Sequence, residues 1–104
     1  MKSPAPPFVD GVRELAQSAR EALAKEVYDL DTLRGLVIGA AGQGYARIIV
    51  RPPRPLDLRG TEAASLAEKH LVDSGFRIYW ETYVGEVDGS RFSGAELQVE
   101  WTGS

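Results

Sequence analysis

Apolar positions in the first third of the chain recur at three- and four-residue steps. Phe8 or Val9, Val12, Leu15, Ala16, Ala19, Ala22, Leu23, Val27 and Leu30 form one stripe, with Arg13, Glu14, Gln17, Arg20, Glu21 and Lys25 on the other side. That period predicts an amphipathic α-helix, capped near Asp10 and unwinding around Asp29–Asp31. The pattern then changes. Leu33–Ile38 and Tyr45–Arg51 are short β-rich runs separated by the glycine-rich stretch 39–44, which predicts two strands of a hairpin with a longer loop. The Arg51-Pro-Pro-Arg-Pro55 run stops the second strand, because proline cannot donate to a sheet ladder. Thr61 opens a second helix with Glu62 in its first turn and apolar positions at Ala63, Leu66, Ala67, Leu71 and Val72. Gly75 stands where a left-handed cap ends it. From Phe76 the period is two: Phe76, Ile78, Trp80, Thr82 and Val84 alternate with Arg77, Tyr79, Glu81 and Tyr83. After a loop over 85–94, Ala95, Leu97, Val99 and Trp101 alternate with Glu96, Gln98 and Glu100.

The expected order is αββαββ, and the expected fold class is α+β. It is a two-layer sandwich with an antiparallel-rich four-stranded sheet and two helices on one face. Moving the last strand to the front gives the ferredoxin-like order, so this topology is compatible with a permuted ferredoxin-like fold. Trp80 and Trp101 are expected in the core, opposite Leu15, Leu23 and Leu66. Residues 1–7, which hold three of the six prolines, are expected to form an extended arm, and 8–104 a single domain.

Composition narrows the function classes. The 104 residues are 43 % hydrophobic and 26 % charged, near globular averages. There is no cysteine, which excludes disulfides, thiolate metal sites and thiol catalysis. No apolar run approaches the roughly 20 residues of a membrane span, and the N-terminus has no signal-peptide pattern, so a cytoplasmic protein is expected. The net charge of −3 is uneven: residues 1–31 carry −2, residues 32–60 carry +4, and residues 61–104 carry −5. The overall sign disfavours a dedicated nucleic-acid binder, whereas the arginine-rich middle keeps a nucleic-acid partner as the alternative.

The stretch Leu71-Val-Asp-Ser-Gly-Phe-Arg-Ile-Tyr-Trp80, with the terminal Leu97-Gln-Val-Glu-Trp101, resembles small phage and prophage-encoded αββαββ proteins. In those a helix breaks at Gly-Phe or Gly-Tyr, an amphipathic strand follows, and a last short strand ends in tryptophan. The resemblance covers about the last 40 residues. It implies a virion or accessory protein of phage type and carries over no catalytic residue.

Candidate chemistry is sparse. The 39–44 glycines lack the lysine of a Walker loop, and a strand rather than a helix is expected to follow them. His70, the single histidine, has Ser65, Asp73 and Ser74 nearby, but helical spacing does not converge them into a triad or a metal site, so a surface histidine is expected. Glu81, Glu86, Asp88, Glu96 and Glu100 read as solvated strand charges rather than as an acid–base pair. No catalytic, cofactor or metal residue is assigned, and no small-molecule substrate is identified.

The most suggestive set is Arg47, Arg51, Arg54, Tyr79 and Tyr83, with Arg34, Tyr45 and Arg59 around it. Arg47, Arg51, Tyr79 and Tyr83 share the parity of an uncovered sheet face, and tyrosine and arginine are enriched at protein interfaces. Cross-strand Arg–Glu pairing explains the same residues without a ligand. The reading is a non-enzymatic protein-binding or self-associating module acting through its open sheet face and its N-terminal arm, with Arg47, Arg51, Arg54, Tyr79 and Tyr83 as its contact residues.

Overall fold

The computed structural model describes residues 8–101; the proline-rich arm falls outside them. The elements are α1 (Phe8–Val27), α2 (Leu30–Gly42), β1 (Arg47–Val50), α3 (Glu62–Asp73), β2 (Arg77–Val87) and β3 (Ser90–Glu100). The class is α+β. Among the described residues the order is ααβαββ, with three helices and a three-stranded antiparallel sheet, so they do not show the four-stranded two-layer sandwich expected from the sequence. Nor do they show the permuted ferredoxin-like order.

The difference lies in 33–38, which is helix and not strand. Asp29 accepts from the Thr32 N–H and hydroxyl, each at 3.0 Å, and so caps α2. Once helical, Leu33 and Val37 fall one turn apart and face the core. The glycines beyond them belong to the helix and its end. Tyr45 N–H donates to Ala40 O and Gly44 N–H to Ala41 O, a Schellman pair around Gly44 at φ +93°. The same pair recurs at the end of α3, where Phe76 N–H donates to Leu71 O around Gly75 at φ +99°. A short apolar run fits either period, and here the caps at both ends decided for helix.

The last hairpin is longer than expected. Strands β2 and β3 pair from Arg77↔Glu100 to Val87↔Ser90, and the supposed loop 85–94 is strand except for Asp88-Gly89. Both turn residues have positive φ, +50° and +81°, as a type I′ turn requires. An Asp-Gly pair between alternating runs is a sequence signal for this turn that the reading above passed over.

The sheet order is β1-β3-β2. β1 and β2 run in the same direction, joined through α3, with β3 inserted between them. One sheet face carries Ile48, Val50, Ile78, Trp80, Leu97 and Val99, which pack with Ala24, Tyr28, Leu33, Leu58, Ala64, Ala67 and Leu71 from the helices and the connecting segment. Trp80 meets Tyr28 edge to face at 5.7 Å, and Trp101 meets Phe76 likewise at 6.3 Å. Both tryptophans are half-buried rather than buried, and Leu15 (72 % exposed) and Leu66 (59 %) are not core residues at all.

The reason Leu15 is exposed is how α1 docks. Only its last turns reach the body, where Leu23 and Val27 pack against the core and polar groups add specific contacts. Arg20 donates to Asp57 O at 2.6 Å, and Glu21 accepts the Glu62 N–H at 3.0 Å, satisfying an orphan donor at the start of α3. Ala24 fills the space between them, fully buried. The molecule measures 65 × 33 × 19 Å, elongated for its length.

Two stability outcomes follow from this core. Leu97→Ala, at a fully buried position, is expected to cost about 2–5 kcal/mol in urea unfolding, and Leu66→Ala no more than about 0.5 kcal/mol. The Tyr28 hydroxyl is buried without a hydrogen-bond partner, and burial pushes its pKa up to about 12. Tyr28→Phe should therefore raise stability, by about 1 kcal/mol, because it removes an unsatisfied polar group at constant shape. A loss of stability in that variant would show that the hydroxyl is satisfied.

Candidate functional site

The sheet face away from the helices carries the opposite parity: Arg47 and Ile49 from β1, Glu96, Gln98 and Glu100 from β3, and Arg77, Tyr79, Glu81 and Tyr83 from β2. Arg51 follows directly after β1. The five expected contact residues do not form one set. Arg47 and Tyr79 lie exposed along the face, Tyr79 opposite Gln98 and Arg47 opposite Glu100. Arg51, itself exposed, and half-buried Tyr83 are engaged in one cluster with Glu96, and Arg54 sits exposed on the proline segment beside them.

That cluster is built on Glu96, which is buried although it faces away from the core. Arg51 Nε donates to Glu96 Oε1 at 2.6 Å, and Gln98 Nε2 donates to Oε2 at 2.8 Å. The guanidinium lies 4.3 Å from the centre of the Tyr83 ring, so a single arginine serves a carboxylate and an aromatic face together. These bonds, the Arg51 one foremost, hold the Glu96 carboxyl below its usual range, and the same pairing raises the Arg51 pKa. The cross-strand Arg–Glu explanation weighed from the sequence is what operates at Arg51.

Two glycines make room for this arrangement. A methyl group at Gly94 would lie 2.7 Å from Tyr83 Cζ and 3.0 Å from Leu56 N, so the ring can lie flat across β3 only because Gly94 has no side chain. At Gly85 a methyl group would lie 2.6 Å from Pro55 Cγ. The segment 52–55 therefore folds over the end of the face, and Leu56 O accepts the Ala95 N–H at 3.0 Å as the chain rejoins the sheet edge. Between Pro52–Pro55 and Tyr83–Glu86 remains a shallow cavity of about 220 Å³.

The wider arginine set is dispersed. Arg59 is paired with Asp57 at 2.6 Å, an interaction that also lowers the Asp57 pKa. Arg34 sits on α2, where it lines a groove of about 550 Å³ with His70, Ser74, Leu30, Val37 and Phe76. His70 is exposed there, as expected for a surface histidine. The residues sequence reasoning missed are Glu96 as an anchor and Gly85, Gly94 and Pro55 as the close contact. A glycine in an alternating strand was the available signal.

Among the described residues no group of three or more histidines or carboxylates could hold a metal, and no helix is long and apolar enough to cross a membrane. Comparison of the chain with family models, with curated proteins and with solved structures finds no match.

The depressed pKa of Glu96 sets a pH dependence. A carboxyl whose folded pKa lies below its unfolded value contributes stability that is present above the ordinary carboxylate range and lost as pH falls through the folded pKa. Glu96→Gln should therefore lower stability at neutral pH and flatten its decline below about pH 4. Asp57, shifted in the same direction, should preserve the remainder of that decline. Equal acid profiles for the two proteins, measured by denaturant unfolding, would show that Glu96 contributes nothing.

Proposed function

We propose that this protein is a non-enzymatic protein-binding module whose contact surface is the uncovered sheet face, with Arg47 and Tyr79 as its free contacts. The observation that carries this reading is the difference between the two ends of that face. At one end Arg51, Tyr83, Glu96 and Gln98 are engaged with one another beside the proline segment, with the Arg51 side chain 57 % exposed. At the other, Arg47, Ile49 and Tyr79 stand exposed on paired strands. An amphipathic patch held on a rigid sheet loses little freedom on binding, which favours protein contacts. Arg54 flanks the patch on the proline segment and extends it.

The resemblance of 71–101 to small phage and prophage-encoded proteins supports assigning the module to a virion or its accessory factors, at work in the host cytoplasm or the particle. The alternative of a nucleic-acid-associated regulator draws on the arginines of 34–59. It is supported less well, because Arg51 and Arg59 are neutralised by Glu96 and Asp57.

The test is retention of proteins from an extract of the producing cells by the wild type and by Arg47→Ala/Tyr79→Ala. Both side chains are exposed, so the double variant should unfold within about 0.5 kcal/mol per site of the wild type. Loss of a specific protein band in the variant is the expected result. If instead both proteins retain the same bands, the face is only solvated. A salt-dependent mobility shift on single-stranded or duplex nucleic acid that weakens in Arg47→Ala or Arg54→Ala would establish the alternative.

A further inference from the structure

α1 carries an apolar stripe that its own chain does not use. Phe8, Val12, Leu15, Ala19 and Ala22 recur at spacings of four and three, and every one of them is exposed, Phe8 at 87 %. The helix docks on the body through Arg20, Glu21, Leu23, Ala24 and Val27 near its C-terminal end. At about 100° per residue the stripe's centre lies about 160° around the axis from Ala24, on the far side from the body. In proteins a helix draws most of its stability from packing an amphipathic face, and the N-terminal two-thirds of α1 packs none of its stripe on the described residues.

We propose that the stripe pairs with the same stripe of a second copy, antiparallel, to form a two-fold symmetric dimer. The order of residue sizes selects this occupant and this direction. The large side chains, Phe8, Val12 and Leu15, occupy the N-terminal half, and alanines 16, 19 and 22 the C-terminal half. A parallel pair sets Phe8 against Phe8 and leaves the alanines facing one another across a gap. The antiparallel pair sets Phe8 against the partner's Ala19, large against small, at both ends, and brings Val12 and the partner's Leu15 together at the two-fold centre.

The flanks of the stripe agree with close approach. Val9, Ala16 and Leu23 border one side, and Gly11 and Ser18 the other, with no charge among them. Arg13, Glu14, Arg20 and Glu21 are kept to the outer surface or to the body, and Glu26, on the line of the stripe, lies beyond the 8–19 length that this register pairs. The four large side chains Phe8, Val9, Val12 and Leu15 expose on the order of 400 Å² per copy, and the alanines and flanking residues bring a pair towards the ~1,200 Å² at which stable interfaces begin. The helices also oppose their dipoles in this arrangement. Each body then lies at its own end of the helix pair. Contact is isologous and closes at two copies. This surface is separate from the sheet face, so either reading can fail without the other.

The experiment uses the full chain. Sedimentation equilibrium at 5–200 µM, a range of about that span chosen around the micromolar affinity a small interface gives, should show a monomer–dimer equilibrium. Leu15→Glu should weaken it by about 100-fold or more, since two carboxylates enter the apolar seam. Its far-UV circular dichroism and tryptophan emission should match those of the wild-type monomer, because Leu15 touches nothing in the chain's own core. Direction is read separately. The chain has no cysteine, so Lys25→Cys can carry a nitroxide at one site. In the antiparallel pair the two labels are separated by about 35 Å along the axis, whereas in a parallel pair they are level. Tyr79→Ala should leave all of this unchanged. A monomer across the whole range overturns the proposal and assigns the stripe to a different protein. A dimer that survives Leu15→Glu, or labels lying side by side, overturns it as well.

Discussion

β3 is hydrogen-bonded along both edges, to β1 on one side and to β2 on the other, and the rest of the structure is arranged around that constraint. A strand paired on both sides cannot rotate or slip without exposing its core residues, because a one-residue shift exchanges its faces. Ala95, Leu97 and Val99 are fully buried towards the helices. The same alternation then forces Glu96 and Gln98 to the other face. A carboxylate in the middle of a sheet, flanked by strands on both sides, is poorly hydrated there, and it keeps its charge only with partners. Arg51 and Gln98 supply them.

The consequences run outward from Glu96. Arg51 lies just beyond the last ladder pair of β1, so its side chain is fixed by the carboxylate rather than by the strand. It is then in position to lie over Tyr83, and Tyr83 in turn lies over Gly94. The proline segment closes over this group because Gly85 leaves space for Pro55. One end of the face is thereby engaged within the molecule, while Arg47, Ile49 and Tyr79 stand exposed at the other, Ile49 and Tyr79 on either side of Gln98. A basic segment with a charge of +4 in the sequence is largely neutralised at two of its arginines once the chain is folded.

α1 follows a different logic. Its attachment is made by Arg20 and Glu21 on backbone groups of the 57–62 segment together with Leu23, Ala24 and Val27, while Phe8, Val12, Leu15, Ala19 and Ala22 stay exposed. Polar anchoring fixes the rotation of the helix about its own axis, and that rotation leaves the stripe outward. The protein thus has two surfaces built on different principles: a polar-rimmed patch on the sheet and an apolar seam on the projecting helix. The function proposed above uses the first, and the proposed dimer the second.

Local signals in the sequence determined α1, α3 and the strands β1, β2 and β3, because each has a sustained period or a defined cap. Thr61 and Gly75 bracket α3 as read, and the parity of Tyr79 and Tyr83 placed them on the face opposite Trp80. The α+β class followed from those elements. Two matters were decided only in three dimensions. The run 33–38 satisfies a strand or a helix equally well, and its state was settled by the Asp29 and Gly44 caps and by the place left for Leu33 in the core. The second is which surface each amphipathic face meets. Periodicity requires that the stripe of α1 and the charges of the sheet find partners, but it carries no information on what those partners are. Arg51 was paired with Glu96, 45 positions away, and the stripe was turned away from the body by contacts at Arg20 and Glu21, which lie outside the stripe itself.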